Sequence, residues 1–257
     1  MPLPDIATFS AVIADPRFWL AVSISILSGA VRGFSGFGSA LIYVPLMSAV
    51  YDPRTSAASF LLIDFATGLA FAFGVWRRAS WAEITPLAIA AIIAAQFGVM
   101  ILQYAHPDHL RWAIALGVLA LVPVLASGWR YQGRPMLPIT ILVGLLAGTM
   151  GGAVQISGPP IILYWLGSSS EVAVVRANFI VYFAIFAAAS VVIYVYHGLL
   201  TPEVLALALL IGPLHILAMW AGGRLFHVAS ERTYRWSAYA IIMVAALVSM
   251  PIWDKLR

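Results

Sequence analysis

Residues 32–46 read RGFSGFGSALIYVPL, and residues 148–166 read GTMGGAVQISGPPIILYWL. Each stretch places glycine, serine and proline inside otherwise apolar sequence, where a helix is expected to stop and restart. Unwound backbone at membrane depth must be buried in protein or line a watery cavity, because an unsatisfied amide is costly in hydrocarbon. We call residues 32–39 the first break and residues 151–160 the second break. Two such breaks at corresponding positions indicate a transporter's substrate site.

The composition of the chain is that of an integral membrane protein. Of its 257 residues, 63% are hydrophobic and 9% are charged, whereas about a quarter of an ordinary soluble domain is charged. Apolar runs of about 20 residues, the length that crosses a bilayer, recur from Phe18 to Pro251. We therefore predict an all-α polytopic membrane protein without a soluble catalytic domain. The first residues lack a basic segment and a cleavage site, so we expect no secretory signal.

Several classes of function are disfavoured by composition. The chain has no cysteine, which excludes disulfides, thiolate metal sites and thiol catalysis. The formal charge of +4 is typical of basic cytoplasmic loops and does not predict nucleic-acid binding. The loop-edge histidines have no zinc-like spacing, so we predict neither a metal nor a cofactor: His106, His109, His197 and His227.

Ten helical segments follow from the apolar runs and their polar interruptions. The first five are predicted near 18–32, 39–50, 55–76, 83–104 and 109–130. The second five are predicted near 137–151, 159–167, 173–197, 203–222 and 234–251. Ser80 with Glu83 fits a capping box, and Thr201 before Pro202 fits an N-cap. Six tryptophans near segment ends are predicted to anchor the chain at the membrane surfaces: Trp19, Trp76, Trp81, Trp129, Trp236 and Trp253.

The two halves of the chain, 1–132 and 133–257, have the same order of segments. A shift of 119 residues aligns five pairs: Gly29 with Gly148, Gly33 with Gly152, Asp52 with Glu171, Phe60 with Phe179, and Gln96 with His215. We interpret the halves as homologous transmembrane repeats of one membrane domain. The alternative is a chance alignment of two apolar sequences rich in small residues.

The topology depends on whether the segment pair around each break is one broken span or a hairpin that returns to its own side. In the hairpin alternative one face collects eight arginines: Arg77, Arg78, Arg130, Arg134, Arg176, Arg224, Arg232 and Arg235. The other face then holds Arg17, Arg54, Arg111, Lys255 and Arg257. The single-span alternative divides the bases almost evenly. The positive-inside rule therefore favours the hairpin, with three spanning helices per half, an inverted repeat, and both termini outside the cytoplasm.

The breaks suit an anion. A helix that restarts at Ser39 or Pro159 directs free N–H groups and a positive dipole end toward a ligand. Glycines allow close approach, and serine and glutamine side chains add donors. The candidate substrate-binding residues are Gly33, Ser35, Gly36, Gly38, Ser39, Gln155, Ser157 and Gly158. The alternatives are local backbone hydrogen bonds for the serines and close helix packing for the glycines.

Two ionisable residues lie deep in the predicted segments. Arg32 directly precedes the first break, where a guanidinium can act as the counter-charge of an oxyanion, or can cap carbonyls at a broken helix end. Asp64 lies near the middle of its segment. We weigh two compatible roles for it, a proton-coupling carboxylate and a permanent partner of Arg32.

Three further polar residues are candidates for the cavity wall. His215 and its aligned partner Gln96 are predicted to contact the substrate, and His215 is a second candidate for proton coupling. The alternative for a lone helix histidine is one structural hydrogen bond. Asn178 is predicted from the repeat to reach the second break.

The stretch from Gly33 to Leu46, with its diverged echo from Gly148 to Leu166, resembles the repeated glycine-rich signature of the TauE/SafE sulfite exporter family. The resemblance extends over nearly the whole chain and implies a permease for sulfite, sulfonates or related sulfur anions. Phe37 stands where a plainer glycine run is common, and Gln155 lies in the second break, so pocket size and cargo can differ from those of the family.

We predict a secondary transporter that works by alternating access, with the anion held between the two breaks and protons as the coupling ion. It is not expected to be an enzyme, and no GxxxxGK[ST] loop is present in the sequence. The alternatives are a membrane-embedded enzyme acting on lipid or small acyl substrates, and a structural subunit. We expect a bacterial inner-membrane location and no nucleic-acid partner. Direction of transport and oligomeric state stay open, with a homodimer as one alternative.

Overall fold

The computed structural model describes residues 3–35, 38–133, 136–166, 171–225 and 231–256, and these ranges contain helices and no β-strand. The predicted all-α class is confirmed. The α-helices of the described part are α1 (Ile6–Ala14), α2 (Phe18–Ser35), α3 (Ser39–Val50), α4 (Pro53–Val75), α5 (Trp81–Tyr104), α6 (Pro107–Ala126), α7 (Leu137–Val154), α8 (Gly158–Trp165), α9 (Val172–Tyr196), α10 (Pro202–Leu225) and α11 (Glu231–Val248). Two 3-10 helices, Trp76–Arg78 and Pro251–Leu256, complete the set.

Length and apolar composition make several of these helices membrane spans. Within the described residues five helices can cross a bilayer: Trp81–Tyr104, Pro107–Ala126, Leu137–Val154, Ala173–Tyr196 and Pro202–Arg224. The number rises to six if α1 and α2, which meet at 86°, count as one bent span. The chain is thus a multi-pass membrane protein.

The observed helices lie within four residues of the ten predicted segments, and α3 coincides with its prediction. One helix, α1, was not predicted. Asp5 caps it by accepting a hydrogen bond from the Thr8 N–H at 2.8 Å. Since α1 has nine residues and none of them is buried, its sequence shows neither the length of a span nor a core-facing stripe.

The helices form two compact units. Unit 1 comprises Met1–Ile63, Ala105–Ala126 and Gly198–Arg257, and unit 2 comprises Asp64–Tyr104 and Ser127–His197. Each unit therefore draws helices from both halves of the sequence. Unit 1 contains α2 and α3 with α10, and unit 2 contains α7 and α8 with α5. The division of the chain into two homologous repeats, with a boundary near residue 132, stays a prediction.

In each unit the start of the helix before the break lies beside the end of the helix after it. In unit 1 the Arg17 guanidinium, just before α2, lies 4.5 Å from the centre of the Tyr51 ring, just after α3. Hydrogen bonds from Arg17 also hold the pKa of Asp15 below its ordinary value. In unit 2 the hydroxyls of Thr140, in the first turn of α7, and Tyr164, in the last turn of α8, are 2.5 Å apart. These contacts are compatible with the predicted hairpins, and both the hairpins and the inverted repeat stay predictions.

Glycines bring one helix pair in each unit into backbone contact. A Cβ atom at each of four glycines would collide with a carbonyl oxygen of the facing helix. In unit 1 the contacts of α2 with α10 are Gly29 with His215 and Gly33 with Met219; in unit 2 the contacts of α7 with α5 are Gly148 with Ala91 and Gly152 with Ala95. Close approach through small residues is the usual way in which membrane helices associate.

These contacts correct the register of the repeat. The glycines on α2 and α7 are separated by the predicted 119 residues, but their partners on α5 and α10 are separated by 124. Ala91 therefore corresponds to His215, and both are fully buried. Gln96 corresponds to Trp220, and both are exposed. The predicted pairing of Gln96 with His215 is wrong by five residues.

The six tryptophans predicted as surface anchors are all exposed, with relative accessibilities from 45% to 67%. Trp220 is also exposed, and Arg224 lies 3.4 Å from the centre of its ring. In contrast, Trp165 on α8 is fully buried against Phe179 and Tyr182 of α9. Most of the tryptophans thus face the surroundings of the protein, as an aromatic belt requires.

Candidate functional site

The first break joins α2 to α3 in unit 1. Helix α2 continues to Ser35, three residues beyond its predicted end, and α3 begins at Ser39. Gly38 precedes α3 with a φ of 91°, a left-handed conformation that glycine adopts without strain. Gly36 and the side chain of Ser35 lie outside the described part, so their predicted ligand contacts stay predictions.

Arg32 reaches across this break from the last turn of α2. Its Nη1 donates a hydrogen bond to Ser39 Oγ at 3.4 Å. Arg32 is half-buried, and Ser39 is 3% exposed. The N-cap residue of α3 is Gly38, which has no side chain with which to cap the helix, and the first N–H groups of α3 have no partner within the helix. A guanidinium beside a helix N-terminus gives two sources of positive potential that favour an anion.

Gly33 has a packing role in the same segment. A Cβ atom there would overlap the Met219 carbonyl oxygen and lie 2.8 Å from the Gly223 nitrogen. Helix α10 therefore fills the space beside this glycine. These contacts fit close helix packing, the alternative role considered for the glycines, rather than contact with a ligand.

In the second break, which lies in unit 2, Gln155 has a strained backbone conformation. Its φ of 57° makes it the one described non-glycine residue with a positive φ, a conformation that costs a residue with a side chain of order 1 kcal/mol. The side chain lies beside the Tyr194 hydroxyl. Its Nε2 is buried and makes no hydrogen bond of normal geometry with the described residues. A buried donor without a partner calls for a ligand or water that it can bind.

Helix α8 restarts at Gly158, one residue earlier than predicted. Ser157 occupies the N-cap position at 5% exposure, but its side chain makes no capping hydrogen bond. Pro159 and Pro160 follow directly, and proline has no N–H. The expectation of several free N–H groups at Pro159 therefore fails, since Gly158 alone provides one among the first three residues of α8.

One face of α9 packs against the second break. A Cβ atom at Gly151 would meet Phe186 at 2.6 Å. Ser190 lies one turn after Phe186 and is 1% exposed, and its Oγ has no partner among the described residues. Tyr194, one further turn along, donates to a backbone carbonyl of α7 at 2.8 Å. Sequence reasoning missed this face, although the four-residue spacing of its hydroxyl groups was a readable signal.

Asp64 lies in the middle of α4 and is half-buried. Its backbone carbonyl accepts a hydrogen bond from Thr67 Oγ1 at 2.9 Å. The position deep in a helix agrees with the sequence expectation. The choice between proton coupling and partnership with Arg32 stays a prediction.

His215 is fully buried between α10 and α2. Its Nδ1 lies 3.1 Å from the Ser25 carbonyl oxygen and 3.4 Å from Ser28 Oγ. Since a carbonyl oxygen only accepts, Nδ1 carries the proton. The Phe60 ring lies edge-on to the imidazole at 6.5 Å. These contacts are those of a structural hydrogen bond that joins two helices, the second of the two roles considered.

Gln96 lies on the exposed face of α5. Its Oε1 is 3.3 Å from His197 Nε2, and Gln103 Oε1 is 2.9 Å from His197 Nδ1. The predicted cavity wall of Gln96 and His215 stays a prediction. Gln96 helps to join the C-terminal ends of α5 and α9.

Asn178 is fully buried, but its amide serves the start of α5. Its Oδ1 accepts from the Ser80 N–H at 2.7 Å, and its Nδ2 donates to Glu83 Oε2 at 3.3 Å. In a capping box the Glu83 carboxylate would accept the hydrogen bond from the Ser80 N–H. Here Asn178 accepts that hydrogen bond instead. Both amide atoms are occupied at α5, which differs from the predicted reach to the second break.

Comparison with protein-family models gives one match, described as sulfite exporter TauE/SafE, over residues 21–249. The matched region includes both breaks and ten of the helices, α2 to α11. No curated protein and no solved structure matches the chain in the corresponding searches. Because the family model covers most of the 257 residues, the chain belongs to the TauE/SafE sulfite exporter family of membrane transporters.

Proposed function

We propose that this protein is a secondary transporter that carries sulfite or a small organosulfonate by alternating access around the glycine-rich breaks. Family membership supports transport of a sulfur anion in general. The observation that carries the proposal is the position of Arg32, hydrogen-bonded at 3.4 Å to Ser39 at the start of α3, whose N-cap residue is a glycine. The side-by-side ends of α2 and α3 support a hairpin whose tip carries this site.

The first break can hold an oxyanion by two independent effects. The guanidinium of Arg32 offers several N–H donors in one plane, which suits the oxygens of sulfite or a sulfonate. The start of α3 adds N–H groups and a dipole that stabilises an anion by up to about 2 kcal/mol in partly buried geometry. Ser39 Oγ lies between the two. An arriving oxyanion would replace this serine as the acceptor of the Arg32 hydrogen bond.

The proposed coupling ion is the proton, with Asp64 as its carrier. A carboxylate at depth in a helix is expensive and generally functional. Asp64 is half-buried in the middle of α4. His215 is the weaker candidate, because its Nδ1 is engaged with the Ser25 carbonyl.

The decisive experiment is a thermal-shift screen of the detergent-purified protein against sulfite, sulfate, thiosulfate, small sulfonates and carboxylates. Saturable stabilisation by a sulfur anion is expected for the wild type. Arg32→Gln should bind that anion at least tenfold more weakly while remaining folded, since it loses a charge-assisted hydrogen bond.

Arg130→Gln is the matched control, because it removes one exposed arginine from the α6–α7 connection and changes the net charge equally. It should bind like the wild type. Equal affinity of Arg32→Gln and the wild type would contradict the proposed role of Arg32. The absence of stabilisation by every sulfur anion in a folded sample would overturn the proposed cargo.

A further inference from the structure

We propose that Ser190 and Gln155 form a charge-neutral subsite in the second break, which binds an oxygen of a singly charged oxyanion such as a sulfonate. The inference rests on the proposed function and adds to it a residue, Ser190, that the glycine-rich motifs do not contain. All groups concerned belong to unit 2.

The first line of evidence is a pair of buried polar atoms without partners. Ser190 Oγ is inaccessible and has no hydrogen-bond partner among the described residues, and Gln155 Nε2, beside the Tyr194 hydroxyl, makes no hydrogen bond of normal geometry with them. Leaving a buried donor unsatisfied costs about 1–3 kcal/mol. Natural proteins rarely retain two such groups in one region unless a ligand, an ion or water satisfies them.

The second line of evidence is their convergence on one stretch of backbone. Gln155 lies beside Tyr194, and Ser190 lies one turn before Tyr194 on the same face of α9. The next turn in the same direction holds Phe186, which abuts Gly151. Ser190 is thus enclosed between two turns that each contact the second break. Ser190 therefore lies on the face of α9 that packs against Gly151 and Gly152.

The sequence of α8 explains why side-chain donors are needed there. Three N–H groups are available in the first turn of α3, but Pro159 and Pro160 remove two of the three in α8. Gly158 contributes the remaining one. An oxyanion at the second break therefore lacks most of the backbone donors that a helix start normally offers. An amide and a hydroxyl at Gln155 and Ser190 replace them.

The conformation of Gln155 supports the same conclusion. A side chain at a φ of 57° is disfavoured, and glycine would occupy the position without strain. The strain is understandable if the amide is needed at this point. The side chains of Gln155, Ser157 and Ser190 are polar and carry no formal charge. A site that offers dipoles and no formal charge favours a monoanion over a dianion, since the desolvation cost rises steeply with charge.

The test is isothermal titration of the detergent-purified full chain with methanesulfonate as the singly charged probe and sulfate as the doubly charged one. Ser190→Ala should bind methanesulfonate about tenfold more weakly, the effect of one hydrogen bond to a charged group. Gln155→Gly should weaken binding similarly while its melting temperature is retained or raised, because glycine relieves the positive φ. Thr85→Ala, which deletes an exposed hydroxyl of α5 that bonds only within its own helix, is the matched control.

The outcomes separate this inference from the proposed function. If Arg32→Gln loses methanesulfonate binding but Ser190→Ala and Gln155→Gly bind like the wild type, the transporter proposal stands and the subsite is refuted. Unchanged affinity with a lowered melting temperature in Ser190→Ala would identify a structural water instead. A wild type that prefers sulfate would overturn the assignment to a monoanion. If the wild type binds neither probe nor any other sulfur anion, the proposed function itself fails.

Discussion

At the scale of single residues, the proposed coupling role of Asp64 predicts that transport depends on pH. If this carboxylate carries the coupling proton, Asp64→Asn should make sulfite flux into proteoliposomes insensitive to an imposed pH gradient. The amide is nearly isosteric and cannot exchange a proton, so the fold should be retained. The measurement is the initial rate of sulfite uptake with and without the gradient. The wild-type rate should rise several-fold with the gradient.

His215→Gln provides the comparison for Asp64→Asn. Because His215 joins α10 to the Ser25 carbonyl of α2, its replacement should lower the melting temperature and leave the response to the pH gradient intact. A folded Asp64→Asn variant with the wild-type pH response would assign Asp64 to the structural role of partner to Arg32. Loss of the pH response in His215→Gln alone would identify His215, and not Asp64, as the carrier of the coupling proton.

At the scale of helices, glycine contacts determine how closely α2 approaches α10. A Cβ atom at Gly29 would overlap the His215 carbonyl oxygen, and backbone cannot move aside as a side chain can. Gly29→Ala should therefore destabilise the protein by about 1–3 kcal/mol, the usual cost of overpacking a tight contact. Thermal unfolding in detergent measures the change.

Gly117→Ala is the control for Gly29→Ala. Gly117 lies inside α6, and a Cβ atom there would meet nothing within 4 Å. The substitution should be neutral or stabilise the protein by up to about 1 kcal/mol, because alanine favours the helix. Equal changes in stability for the two substitutions would show that helix propensity, and not interhelical contact, determines the effect of Gly29→Ala.

The helices and both breaks could be predicted from the sequence because their signals are local. Glycine and proline interrupt apolar runs at the positions where α2 and α7 end. The roles of Asn178, Gln96 and Ser190 could not be predicted in this way. Asn178 meets Ser80 98 residues away, and a five-residue shift between the halves moves Gln96 out of register with His215. Such contacts depend on which helix faces which, and no local pattern encodes that.

At the scale of the whole molecule, each compact unit combines helices from both halves of the sequence. Helices α2 and α3 of the first half share unit 1 with α10 of the second half, and helices α7 and α8 share unit 2 with α5 of the first half. The backbone contacts at Gly33 and Gly152 are therefore made between halves, not within them. Each half on its own would leave its glycine-bearing face without the helix that it packs against.

Because each unit needs helices from both halves, we predict that neither half folds alone. Chains 1–132 and 133–257, expressed separately, should aggregate or be degraded, whereas co-expression should yield a complex that copurifies and elutes with the size of the intact protein. The physical reason is that α2 and α5 of the first half require α10 and α7 of the second for their closest contacts. Size-exclusion chromatography in detergent is the measurement. A monodisperse, helical and thermally cooperative first half would contradict this prediction and show that residues 1–132 fold as an independent domain.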